Sequence, residues 1–487
     1  MAAEELELES ELVERVAAID IAKASGMVCT RVPHATRPER RVQEAWNVAS
    51  TTEAIMELGQ ALVALGVTRV VMEATGVYWR PFFFLLESCG LECRLVNARD
   101  VKNVPGRPKT DKLDAIWLAK LAEWGMLRAS FVPERPIRRL RDLTRLRAAL
   151  SQERTRHKHR VEKLLEDAHI KLSSVATNLF GLSARNMLDA MVAGERSPER
   201  LADLAQGKLK AKHAALVAAF NGRFDEHHAY VLGTLLGAID HVQSQIDDLT
   251  RHIETSLTQL SGPQADLDAK RPASVGGALT PAERLDEIPG IGAITAQIIL
   301  AEIGLDMSVF PTPGHLVSWA KLSPRTIQSA GKTFPGGTGQ GNPWLKAVLG
   351  EAAMAAARTD TFLGARYKRP VRRRGHGKAL VAVARSMLVI VWHLLGRSPS
   401  PLPRPRGRLP PAPDGQGHPH PRAHPPVGSP RARRHHQSAH GGRLRPTATR
   451  GPGEASRAAA RWHGPTFGLD HPLRDSPRAV RPGRGPS

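Results

Sequence analysis

From Arg397 to Ser487 the chain changes character: it holds 17 Arg and 19 of the chain's 37 Pro, but no Lys, Ile, Met, Tyr or Asn, and its acids are only Asp414, Glu454, Asp470 and Asp475. Such a stretch cannot bury enough apolar surface to offset the entropy of ordering, so residues 397–487 read as a disordered Arg/Pro-rich tail. Any packed core is thereby confined to the first 396 residues. The tail interrupts an amphipathic helical pattern, as out-of-frame translation of a GC-rich gene would; the alternative is a basic arm that holds nucleic acid without reading sequence. Removing it lowers the formal charge from +22 to a moderate excess, 52 basic against 43 acidic residues. A basic body points to a polyanionic partner, nucleic acid ahead of a membrane surface.

Cys29, Cys89 and Cys93 make neither an even framework nor a CxxC pair, which argues against a disulfide scaffold or a structural zinc site and for a reducing, cytoplasmic setting. The leader, residues 1–15, is acidic and lacks the apolar centre of a signal peptide. No membrane span is expected, because the longest apolar candidate, Leu380 to Leu395, is broken by Arg385 and His393 and falls short of about 18 uninterrupted apolar residues.

Short apolar runs alternate with helical periodicity over residues 16–135. Val16 to Asp20 reads as a strand that pairs with Val28 to Val32 across the Ser25-Gly26 turn, and Thr51 to Leu65 as a helix closed by Gly66. Thr68 to Met72 is a buried strand ending at Glu73, Arg80 to Ser88 a helix, Glu92 to Val96 a strand and Lys112 to Trp124 a helix. This predicts an α/β domain. Residues 136–260 read as all-α. Leu235, Ile239, Val242, Ile246, Leu249 and Ile253 form a heptad seam, so a coiled-coil arm or a dimer contact is expected. A linker over 261–281 precedes a compact helical domain at 282–396.

Four carboxylates stand out by position. Asp20 and Glu73 end neighbouring strands, and Asp111 and Asp114 share one face at the start of a helix. An all-oxygen donor set of this kind suits Mg²⁺ or Mn²⁺, and two such ions stabilise both the attacking and the leaving oxygen in phosphoryl transfer. Each acid taken singly is better explained as a capping or solvated residue; the metal reading rests on the four together. Ile288-Pro289-Gly290-Ile291-Gly292 joins two apolar helices and resembles a helix-hairpin-helix, whose backbone amides at Gly290 and Gly292 can hold a phosphate. A plain helix–helix turn is the other reading. Downstream, Ser329 lies in a loop between Arg325 and Lys332, cations that could stabilise an alkoxide attacking a phosphodiester. Arg138, Arg139, Arg141, Arg145, Arg147, Arg154, Arg156, Lys158 and Arg160 stripe the first arm helix and are read as a phosphate-binding row, or as an ordinary solvated face.

Ala18-Ile19-Asp20-Ile21-Ala22-Lys23, Val71-Met72-Glu73-Ala74-Thr75-Gly76, Lys109-Thr110-Asp111-Lys112-Leu113-Asp114-Ala115, Ile288-Pro289-Gly290-Ile291-Gly292 and Ser329-Ala330-Gly331-Lys332 follow one another in this chain. In that order they resemble the motifs of DEDD insertion-sequence transposases, serine-dependent recombinases with a RuvC-like domain that work with a bridge RNA. One departure is Ser-Ala-Gly, where many relatives look like Ser-Gly; the other is the tail. The resemblance spans about Val16 to Leu395. It implies an RNase H-like catalytic domain, a helical arm and a C-terminal transposase domain. It also implies Asp20, Glu73, Asp111 and Asp114 as ligands of Mg²⁺ or Mn²⁺, Ser329 as a nucleophile forming a phosphoserine link, and DNA and a guide RNA as partners. A homo-oligomer, dimer or tetramer, is implied too, with acids and serine possible from different subunits, acting in the cytoplasm at the nucleoid. Outside this reading stand a Holliday-junction resolvase or simple nuclease, in which metal-bound water attacks, and a non-enzymatic nucleic-acid-binding scaffold.

Overall fold

The computed structural model describes residues 12–74, 76–97, 110–268, 279–323, 326–329, 331–336, 339 and 341–396. The leader up to residue 11, Arg325 and the tail from 397 lie outside the described residues. The chain divides into two compact units, Met1–Glu134 and Arg135–Ser487.

The first unit is built on a six-stranded mixed sheet in the order β3-β2-β1-β4-β5-β6. Its strands are β1 (Val16–Ile21), β2 (Ser25–His34), β3 (Arg37–Ala49), β4 (Arg69–Glu73), β5 (Glu92–Val96) and β6 (Ala129–Ser130). β1 pairs antiparallel with β2 and parallel with β4, and β4 pairs parallel with β5. Strand alternation then sorts the side chains between two faces. Ala17, Ile19, Ile21, Val70 and Met72 pack beneath α1 (Thr52–Ala64) and α2 (Trp79–Ser88), through Ile55, Leu58, Leu62, Phe82 and Leu86. Val16, Ala18, Cys29, Val71 and Val96 pack on the other face beneath α3 (Asp111–Glu123), through Ala115, Leu118, Ala119 and Ala122. A mixed sheet with helices on both faces, followed by a helical region, accords with the expected α/β plus all-α class.

β3 has no counterpart in the sequence reading. At its outer end Arg37, Glu39 and Arg40 are exposed and charged and Pro38 stands among them, so no apolar alternation marks it; pairing with β2 along nearly its whole length makes it a strand.

The second unit opens on α4 (Arg135–Asp167). Four short helices follow, α5 (Leu172–Val175), α6 (Leu182–Val192), α7 (Pro198–Asp203) and α8 (His213–Phe220), before the long α9 (Glu226–Asp268). Arg154 is bonded to Gln243 and Arg147 to Thr250, while Leu140 packs with Ile253, so α4 and α9 run antiparallel side by side. The predicted seam faces inward. Ile239, Val242, Ile246 and Ile253 are buried, and Leu235 and Leu249 half-buried. α4 of the same chain occupies that seam. α9 also continues to Asp268 where a linker was expected from Ser261, because Gln264 to Leu267 restore helix-forming residues after Pro263.

The remainder is α10 (Pro281–Asp286), α11 (Ala293–Ile303), α12 (Pro313–Trp319), the hairpin β7 (Thr326–Ser329) and β8 (Lys332–Pro335), α13 (Pro343–Ala356), α14 (Phe362–Arg374) and α15 (His376–Gly396). α15 contacts α10, α12, α13 and α14. Leu380, Val383, Met387, Leu388 and Val391 lie on its buried side, and Trp392 Nε1 donates to the Phe310 carbonyl at 2.8 Å. Among the described residues α15 is the one helix long and apolar enough to cross a membrane, contrary to the sequence expectation that none would be. Its burial in this unit supplies another reason for that apolarity.

Candidate functional site

The register of β1 and β4 carries Ile19 opposite Met72, which leaves Asp20 and Glu73 as the next residues at the carboxyl ends of two adjacent parallel strands. Neighbouring strands are about 4.8 Å apart. Asp20 follows Ala18 and Glu73 follows Val71 in the alternation, so both acids fall on the face covered by α3. The direction of α3 is fixed at its far end. Glu123 is buried and accepts from Arg31 Nε at 2.7 Å and Arg41 Nε at 2.6 Å, and its carbonyl accepts from the Val13 amide at 2.9 Å. Arg31 pairs with Val16, the first residue of β1, so α3 runs opposite to β1 and its amino end lies toward Asp20. Asp111 and Asp114 belong to the same helical stripe as Ala115, Leu118 and Ala122 and extend it past the apolar contact. Thr110 caps this helix by accepting from the Leu113 amide at 3.3 Å.

All four acids are therefore directed to one end and one face of the sheet. Asp111 is exposed and the other three are half-buried. Among the described residues no three acids, histidines or cysteines stand close enough to hold a metal ion. The donor chemistry nonetheless fits a hard divalent cation, since every candidate is a carboxylate and the three cysteines are not among them. Sequence reasoning missed Glu123. An acid closing an apolar helix looks like any solvated residue until its arginine partners on β2 and β3 are seen.

In the second unit Ser329 ends β7 rather than sitting in an open loop. It pairs with Lys332 across a two-residue turn in which Gly331 has φ of 73°. Ser323 lies three residues before β7, and Lys332 is exposed. After β8, Lys346 Nζ donates to the Gly339 carbonyl at 2.8 Å. Asn342 then caps α13, accepting from the amides of Trp344 and Leu345.

The Pro-Gly-Ile-Gly turn between α10 and α11 divides its glycines between two tasks. Gly290 has φ of 91°, and a Cβ there would lie 2.3 Å from the Ala352 carbonyl oxygen, so its smallness serves close packing on α13. Gly292 is exposed and caps α11 with no side chain on the free amides. Asp286 lies on this side of the turn too, and its charge opposes anion binding there.

The arginine stripe of α4 is corrected more sharply. Arg145 makes a bidentate pair with the fully buried Glu302 at 2.8 and 2.9 Å, and Arg141 donates to the carbonyls of Ala301 and Glu302. Arg147 is itself buried and donates to Gln297 at 2.7 Å. Arg154 is held by Gln243, and Lys158 stacks on Phe180 with its ammonium 4.8 Å from the ring centre. Arg156 and Arg160 remain exposed. Much of the stripe thus packs α4 against α9, α11 and α6's leading turn, because a long helix buried on two sides draws guanidinium groups to its neighbours' acceptors.

These two stretches match known proteins as transposases. Residues 17–170 match a model described as Transposase, the DEDD type of IS110 elements, and residues 282–368 match the Transposase IS116/IS110/IS902 family. A protein of the insertion element IS110 from Streptomyces coelicolor is 27% identical over 304 residues, 60% of this chain and 71% of its own length. The transposase for insertion sequence element IS1111A of Coxiella burnetii is 33% identical over 121 residues, 24% of this chain and a third of that protein. The chain belongs to the IS110 family of transposases.

Proposed function

We propose that the chain catalyses the DNA cleavage and strand exchange that move an insertion sequence. The observation that carries this reading is the direction of Asp20, Glu73, Asp111 and Asp114 to one end of one sheet face. In it the Ser329 hydroxyl attacks a DNA phosphodiester. A serine O–P bond forms, a DNA P–O bond breaks, and the departing strand takes the proton as a free hydroxyl. Attack by another strand's hydroxyl reverses these changes and regenerates the serine, so bond energy is conserved without a nucleotide cofactor. The four acids would hold Mg²⁺ or Mn²⁺, which supplies Lewis-acid stabilisation of the charge on the phosphoryl oxygens. The cations Lys332, Arg325, Arg156 and Arg160 serve to hold phosphates. A guide RNA selects the DNA, the working form is a homo-oligomer, and the setting is the cytoplasm at the nucleoid.

The test uses purified protein, Mg²⁺, guide RNA and end-labelled DNA, scored for a protein–DNA adduct that survives denaturation. Ser329→Ala should remove the adduct and leave binding intact. Cleavage that persists without any adduct in either protein would assign the chemistry to metal-activated water, as in a resolvase-type nuclease. An adduct in the alanine variant would move the nucleophile to another residue, with Ser323 first.

A further inference from the structure

The helix α14 separates its side chains by kind. At 100° per residue, Leu363, Gly364, Tyr367, Pro370 and Val371 fill one arc, and Leu363 and Gly364 are buried. Arg366, Lys368, Arg369, Arg372 and Arg373 fill the opposite arc, all exposed. They stand in two rows, Arg366–Arg369–Arg373 and Lys368–Arg372, at the spacings that align side chains on a helix. Arg374 and Lys378, also exposed, continue the charge around the Gly375 turn into α15. From Phe362 to Gly396 the sequence has no Asp or Glu. Among the described residues, Lys368, Arg369, Arg372, Arg373 and Arg374 have no hydrogen-bond or ion-pair partner, in contrast to the committed arginines of α4. The turn is itself held, with the Tyr367 hydroxyl and His376 Nδ1 at 2.6 Å and Arg366 Nε donating to the Ala382 carbonyl at 3.4 Å.

We infer that the exposed face of α14 is a binding surface for the phosphate backbone of double-stranded DNA. Five like charges on one face repel one another and destabilise the free helix, so a polyanion relieves a cost already built into the fold. The charge density fits as well. Arg366 to Arg373 place five cations along about 10 Å of helix axis, roughly one per 2 Å, and duplex DNA carries one phosphate per about 1.7 Å. Phe362 alone among the exposed residues of this face is aromatic, at the start of the row. A platform for single-stranded bases needs aromatics repeated along the row, so a duplex is the better occupant. B-form DNA opens its major groove to a helix, and A-form RNA closes it. This surface stands on exposed charge and packing, independently of Ser329 and of the acids.

The experiment compares full-length proteins binding a short random-sequence DNA duplex over a range of salt concentrations, read by fluorescence anisotropy. In the triple variant R369Q/R372Q/R373Q the slope of log affinity against log salt should fall by about 2.7, since each lost phosphate contact removes about 0.9. The charge-conserving R369K/R372K/R373K should keep the slope, which separates lost charge from lost fold. K208Q/K210Q removes two exposed lysines of the Gly207–Lys212 turn and should leave it unchanged. The same measurements on Ser329→Ala protein should give the same differences, so a failure of the serine chemistry does not touch this result. An unchanged slope in the glutamine triple variant, or an equal fall in K208Q/K210Q, would overturn the proposal. A fall confined to an RNA duplex of the same sequence would overturn the assignment to DNA.

Discussion

Glu302 has no exposure to solvent, yet its carboxylate is met by Arg145, Arg141 and the Asn342 side-chain amide, the last at 2.6 Å. One residue on α11 thereby ties α4 to the cap of α13. Removing one member of a buried ionic cluster leaves the others desolvated and unpaired, at a cost of about 3–5 kcal/mol. Glu302→Ala should lower the unfolding free energy of the second unit, read by urea titration, by that order, and Glu302→Gln by less, because the amide still accepts. Asp20 and Glu73 should behave in the opposite way. Asp20→Asn and Glu73→Gln keep the shape of the strand ends and remove charge, so Mg²⁺-dependent cleavage should fall by at least about 100-fold while the melting temperature holds. The cysteines supply a third check. Burial pushes the Cys29 thiol up to about 11 and the Cys93 thiol up to about 12. Both stay protonated at pH 8, and the thiolate is the reactive form. Mass spectrometry after iodoacetamide treatment should find both unmodified in native protein and modified once it is unfolded.

The α10–α11 turn makes an element-scale prediction, because its two glycines have different neighbours. Gly290→Ala places a methyl group against the α13 backbone at a positive φ, so α11 and α13 must part; the variant should lose more than about 2 kcal/mol in thermal or urea unfolding. Gly292 has ordinary φ and nothing nearer than 3.9 Å, and Gly292→Ala should cost under about 1 kcal/mol. The two look alike in sequence, which is why the motif suggested phosphate binding for both. Elsewhere legibility followed local pattern. β1, β4, β5 and α3 were readable because each shows its burial in its own alternation or stripe, and Asp20 and Glu73 stood out because each ends such a strand. β3 was not, since a charged strand is made by its neighbour, and α5 and α7, at four and six residues, are too short to show a period. Glu302 and Glu123 were invisible for a related reason: their partners lie 157 and 92 residues away in the chain. The charges of α14 were plain as a run, but a run does not say which charges are already spoken for.

At the scale of the whole molecule, the first unit covers both faces of its sheet with its own helices, so residues 1–134 expressed alone should unfold in one cooperative transition by circular dichroism. A molten, dye-binding fragment would show that its core needs the rest of the chain. The antiparallel pairing of α4 with α9 has a consequence for descent. Arg147 meets Thr250 and Arg154 meets Gln243, so positions add to a constant along the pair. One extra codon in either arm would turn everything beyond it by about 100° and bring polar residues into the seam. Seven extra codons restore the phase to within about 20°, but only if the other arm gains seven as well. Genes for this chain that diverge in length within α4 or α9 should therefore carry matched changes, one in each arm, on either side of the untouched codons for residues 168–225 that encode the helices between them.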